Sequence, residues 1–102
     1  MRLSVAERDA IRSAVQKHFG ANARVRLFGS RTDNEKRGGD IDLLVEYDPD
    51  GAELNVDRAR IATIAEIQRR IGDQKVDLVA SPVTGEDARE IVRRAKANSV
   101  PI

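Results

Sequence analysis

Two aspartates one residue apart, Asp40 and Asp42, open the apolar run DIDLLVEY at residues 40–47. In an extended chain, positions i and i+2 face the same side, about 6.6–7 Å apart at Cα. Both carboxylates therefore project together, while Ile41, Leu43 and Val45 turn to the opposite face and into a core. Two ionised carboxylates that close raise each other's pKa. At 4 Å and an effective dielectric near 20 their repulsion is about 4 kcal/mol. A divalent cation cancels it, and an all-oxygen ligand set favours Mg²⁺ or Mn²⁺ over zinc. A third carboxylate, Asp77, stands in the short apolar run KVDLVA at residues 75–80. If that strand lies beside the first, Asp77 completes a triad, and three carboxylates can hold two metal ions for in-line phosphoryl or nucleotidyl displacement.

Upstream, Leu27-Phe28 breaks into Gly29-Ser30. Glycine lets the chain turn sharply and come close to a ligand. A helical turn opening at Ser30 would offer free N–H groups to a phosphate, with the Ser30 hydroxyl adding a hydrogen bond. Arg31 reaches either a phosphate or a surface ion pair. Lys36 and Arg37, in the loop at 30–39, either touch a triphosphate or solvate the loop. Each signal alone is weak. Gly-Ser after a strand is usually a turn, a lone Asp-x-Asp often a solvated strand end, and an isolated strand aspartate as often a salt-bridged edge residue. Their conjunction and order carry the argument.

The surrounding sequence supplies elements to position these groups. Residues 4–19 read as a helix: SVAE is a capping box from Ser4 to Glu7, and Ile11, Val15 and Phe19 share a face. Gly20 stops it. RVRLFG at 24–29 is the first strand, with Val25 and Leu27 on one side. DPDG at 48–51 is a turn. Residues 54–71 form a second helix with Val56, Ile61, Ile64, Ile67 and Ile71 as its apolar side, closed by Gly72. Ser81-Pro82 ends the third strand. Thr84 caps a last helix whose stripe is Ala88, Ile91, Val92 and Ala95. Its basic residues, Arg89, Arg93, Arg94 and Lys96, read as a solvated face rather than a nucleic-acid groove. His18 reads as a charge placed favourably at a helix C-terminus rather than as a catalytic group. The order α-β-β-α-β-α predicts an α+β (α/β) fold, a short mixed sheet covered by helices, with a right-handed crossover if the last two strands are parallel neighbours.

A chain of 102 residues is expected to be one domain, 1–102, with one modest core. Phe19, Phe28 and Tyr47 are its only aromatic residues, so that core must be built from Ile, Val, Leu and Ala. Eighteen basic against 17 acidic residues lack the basic excess of a nucleic-acid binder. The absence of cysteine excludes disulfides and Cys-based zinc sites. No apolar stretch approaches the roughly 20 residues of a membrane helix, and the N-terminus has no apolar signal core. The expectation is a soluble, cytoplasmic domain.

The pattern FGSRTDNEKRGGDIDLLV, followed by VDLV, resembles the minimal nucleotidyltransferases of the DNA polymerase β-like superfamily: Gly-Ser, a spacer, Asp-x-Asp, then a carboxylate on a later strand. The resemblance implies that Gly29 and Ser30, with Arg31 beside them, hold the β- and γ-phosphates of ATP. It implies that Asp40 and Asp42 bind two Mg²⁺ ions, and that Asp77 helps hold the catalytic metal and takes the acceptor's proton. The spacer is nine residues where about ten is usual, Thr32, Asp33 and Asn34 replace the usual small residue and Arg-Gly, and Gly39 stands where Ser is frequent. Small members of this kind resemble antitoxins that add AMP to a HEPN-type toxin. A partner protein or a second copy would then complete the cleft. Two alternatives accompany this reading: a catalytically weak subunit that neutralises the toxin by covering it, and a nucleotidyltransferase acting on a small molecule.

Overall fold

The computed structural model describes residues 3–29, 40–49, 54–72, 74–83 and 89–102. The elements are α1 (Val5–Phe19), β1 (Arg24–Phe28), β2 (Ile41–Tyr47), α2 (Val56–Ile71), β3 (Val76–Pro82), α3 (Glu90–Ala97) and β4 (Val100–Pro101). The capping box forms as the spacing predicts: Glu7 N donates to Ser4 Oγ at 3.1 Å and Ser4 N to Glu7 Oε1 at 3.0 Å. Asn55 caps α2 by accepting from Arg58 N at 3.0 Å. Gly20 and Gly72 take the C-cap positions of α1 and α2.

The strands form one mixed sheet in the order β3-β2-β1-β4. β1 runs antiparallel to β2 and β4, and β2 runs parallel to β3. The parallel pair is joined through α2, the crossover that such a pair requires. α1 and α2 cover one face, burying Ile11, Val15, Phe19 and Ile67 against Val25, Leu27, Ile41, Leu43, Val45, Val76 and Leu78. α3 packs against β2 from the other side, where Leu44, Val92 and Ala95 are buried. The expected α+β architecture and element order therefore hold. Among the described residues no helix is long and apolar enough to cross a membrane.

The structure departs from the sequence reading in four places. The two-residue β4 adds a fourth strand, too short to leave a periodic signal. β3 continues through Ser81 to Pro82 because it is an edge strand, where a missing backbone donor costs nothing. Ile61 is 61% exposed: it lies five positions after Val56, about 140° around the helix. The packed side of α2 is instead Ala59, Thr63, Glu66 and Ile67. α3 begins at Glu90 with Arg89 at its N-cap. The expected cap Thr84, and Ala88 of the expected stripe, lie outside the described residues.

Glu66 pins α1 to α2. Its nearly buried carboxylate lies 3.1 Å from Lys17 Nζ, 3.2 Å from His18 Nε2 and 3.9 Å from Arg69 Nη2. His18 sits in the last turn of α1, as expected, and spends its polar edge on this contact. The Lys17 hydrogen bond holds the Glu66 carboxyl below its ordinary value of 4.5, aided by His18 and opposed by burial. A depressed acid contributes stability that is fully present above 4.5 and is lost as the pH falls through the lower folded value. Glu66→Gln is therefore expected to lower the melting temperature at pH 7. The difference from wild type should shrink in melts run progressively below pH 4.5.

Candidate active site

The parallel pairing of β2 with β3 decides what the carboxylates can do. Its register sets Asp42 directly beside Asp77, with Ile41 beside Val76 and Leu43 beside Leu78. The apolar neighbours on both strands are buried, so both aspartates must point to the opposite face. Asp40 precedes Ile41 and, by the same alternation, shares that face. Ile41 N donates to Lys75 O at 3.0 Å, which carries the alignment one residue further back. Lys75 then comes level with Asp40, and its Nζ lies 3.5 Å from Asp40 Oδ2. Partial burial, then the Asp77 and Asp40 charges, push the Asp42 carboxyl above its usual 3.8, and Lys75 only partly offsets them.

The end of β1 closes on the same point. Phe28 pairs with Asp42 across the antiparallel ladder, and Gly29 follows with φ +77°. A Cβ built on Gly29 would overlap Asp42 Oδ2 and stand 3.2 Å from its Cγ. Only glycine tolerates both this backbone and this proximity. The bend is thus fitted around the central carboxylate. Ser30 and Arg31, the other phosphate-side candidates, lie outside the described residues, as do Lys36 and Arg37.

The donor set suits a hard divalent cation: carboxylate oxygens only, on one face, with an anionic charge that the protein compensates through a single described lysine. Among the described residues no group of three or more His, Cys, Asp or Glu side chains is placed so that it could hold a metal ion. Asp40 is instead paired with Lys75. Lys75 was not anticipated; its signal was its place two residues before Asp77, which parallel register brings level with Asp40. Lys75→Gln should tighten Mg²⁺ binding about 2–5-fold at low salt and less at high salt, since it removes an exposed, screened competitor. Titration calorimetry at two ionic strengths checks this.

A cavity of about 310 Å³ lined by Arg12, Arg24, Arg26 and Glu46 lies elsewhere. Glu46 stands four positions beyond Asp42, roughly 13 Å along β2. None of Asp40, Asp42 and Asp77 lines this cavity. Compared with models of protein families, residues 8–100 match the one described as nucleotidyltransferase domain, a span that contains Gly29, Asp40, Asp42 and Asp77. None of the curated proteins compared with the chain matches it.

Proposed function

Since the chain belongs to the nucleotidyltransferase domain family, we propose that its carboxylate cluster transfers AMP from ATP to a hydroxyl of a partner protein. The observation that carries the reading is the placing of Asp42 beside Asp77 in register with the Gly29 bend against the same carboxylate.

Asp40, Asp42 and Asp77 would hold Mg²⁺, or Mn²⁺ in its place; when bound, two such ions neutralise charge on the α-phosphate and on the leaving oxygens. The chain's own residues do the rest. Gly29 lets the backbone approach the triphosphate without a side chain intervening, and Ser30 and Arg31 take its β- and γ-phosphates. Asp77 accepts the proton of the incoming hydroxyl. The bond from that oxygen to the α-phosphorus forms, the bond from the α-phosphorus to the bridging oxygen of the β-phosphate breaks, and pyrophosphate leaves. Burial first, and then the Asp77 and Asp40 charges, raise the Asp42 carboxyl, and a divalent cation held there would lower it.

The resemblance to antitoxin-type minimal nucleotidyltransferases supports a HEPN-type toxin as the partner, silenced by the added AMP. A partner of that kind, or a second copy, would supply the remaining walls of the cleft. The test is incubation with ATP labelled at the α-phosphate, Mg²⁺ and the product of the adjacent gene. One labelled AMP or more on that protein is expected, with toxicity lost in step. Full neutralisation by the Asp40→Asn, Asp42→Asn double variant, with no label transferred by wild type, would show silencing by coverage alone.

A further inference from the structure

The cavity beside β1 carries positive charge that the fold leaves unmatched. Arg24 and Arg26 alternate with Val25, which is buried under α1, so both arginines project to the opposite face of the sheet. Arg12 comes from α1 itself. β4 pairs with Arg26 and Leu27 and stops short of Arg24. At that point side chains from both faces reach round the strand, and all three arginines line one cavity of about 310 Å³.

These charges do not cancel. Glu46 is the one acidic side chain among the described residues of the wall, and it stands directly opposite Arg24 in the β1–β2 register. Its Oε2 nevertheless lies 4.0 Å from Lys96 Nζ, which brings a further cation to the cavity's side. Among the described residues the guanidinium groups of Arg12 and Arg24 have no hydrogen-bond or ion-pair partner. Arg26 is half-buried, and both of its bonds go to neutral groups: Nε donates to Ser99 Oγ at 2.6 Å and Nη2 to Ser99 O at 3.3 Å. The two bonds fix its planar group and leave its charge uncompensated. A charge drawn partly out of water without an opposite charge is unfavourable, and an anion in the cavity relieves that.

Charge and shape name the class of that anion. A guanidinium offers a planar fork of N–H donors that matches the oxygens of a carboxylate or a phosphate. The excess of cations here exceeds what one carboxylate neutralises, whereas a phosphate monoester carries about −1.5 to −2 charges on three acceptor oxygens. Val25 and Ile102 add apolar wall to the same cavity, and Ile102 N donates to Val25 O at 3.3 Å. We propose that this cavity binds a phosphate monoester, its phosphate on Arg12, Arg24 and Arg26 and its organic body against Val25 and Ile102. The site is separate from the carboxylates, since Glu46 on its wall stands roughly 13 Å along β2 from Asp42. It needs no divalent cation, because the chain itself supplies the positive charge. The aspartates, without a metal, repel a bare phosphate.

The test uses the whole chain in EDTA, so it does not depend on nucleotidyl transfer. Phenyl phosphate, AMP, inorganic phosphate and malonate are titrated in turn while the Val25 and Ile102 methyl and the arginine Nε–H resonances are followed by NMR. Both monoesters should move these resonances and bind about tenfold or more tighter than malonate, with affinity falling as salt rises. A nucleotide as the natural ligand makes AMP the tighter of the two, and a simpler ester makes it phenyl phosphate. Arg12→Gln and Arg24→Gln, at exposed positions where the fold should not suffer, should each weaken binding about tenfold or more. Glu46→Gln should tighten it about 2–5-fold. Malonate bound as tightly as the monoesters would overturn the phosphate, and inorganic phosphate bound as tightly would overturn the organic body. Resonances that neither monoester moves, or that move equally in the Arg12 and Arg24 variants, would overturn the site. None of these results touches the reading of Asp40, Asp42 and Asp77.

Discussion

Asp42→Asn is expected to abolish nucleotidyl transfer and, in the metal-free protein, to raise the melting temperature. The two effects share a cause. Asp42 is half-buried beside Asp77 and near Asp40, and its carboxyl is held above the usual value first by burial and then by those charges. An acid raised in the folded state makes the fold less stable as the pH rises through the folded value, because the unfolded chain gives up its proton more readily. At pH 7 that cost is fully present. Below 3.8 the group is protonated in both states and the cost is gone. Asparagine removes the charge and keeps the shape. For a partly solvated group the gain is about 0.5 kcal/mol, roughly 2–4 °C for a domain of this size. The advantage over wild type should vanish in melts below pH 3.8, and Mg²⁺ should stabilise wild type while leaving the variant unmoved. Transfer should fall roughly 10³-fold or more, as expected when a member of a cooperating catalytic set is removed.

Gly29→Ala should also disable the site while leaving most of the fold intact. A methyl group there overlaps the Asp42 carboxylate, and the backbone at φ +77° is strained for any residue with a Cβ, by about 1 kcal/mol. Either β1 moves away from β2 at its end or Asp42 rotates out of line. A displacement near 1 Å at a reacting centre costs about 10²-fold. The expected result is a loss of that size in kcat with ATP and Mg²⁺, and a melting temperature lowered by about 4–8 °C. Gly20 has a comparable φ but open space where a Cβ would be. Gly20→Ala therefore serves as the control for backbone strain alone, with activity retained.

The local signals in the sequence were the ones that structure honours most directly. The Ser4 to Glu7 capping box depends on residues three apart, and both hydrogen bonds form. The alternation of Ile41, Leu43 and Val45 against Asp40 and Asp42 depends only on strand period. Where the reading failed, the deciding fact was tertiary. Ile61 looks like core because isoleucine usually is, but the face of α2 that meets α1 is filled by Ala59, Thr63 and Glu66, two of them polar. Glu66 gave a faint signal as a charge beside Ile67 on that face; its partners Lys17 and His18 are 48 or more residues away and only folding brings them in. β4 exists because β1 has a free edge to pair with, not because Val100-Pro101 favours a strand. Asp77 stood between these cases. Its oddity was legible, but its value depended on the register of two strands 35 residues apart, which no local rule specifies. The apolar character of Ile91 was read as part of a core stripe, whereas it is 45% exposed and Val92 and Ala95 carry the packed side of α3.

The most direct measurement of the whole account is a ¹³C NMR titration of the Asp42 carboxyl carbon, in wild type and in Asp77→Asn, with and without Mg²⁺. Convergence of the acids on one cation predicts that Asp42 titrates above 3.8 in the metal-free protein. It also predicts that the value falls when Asp77 is neutralised, and falls further when Mg²⁺ is added to wild type. An Asp42 that titrates at its ordinary value and responds neither to Asp77→Asn nor to Mg²⁺ would contradict it.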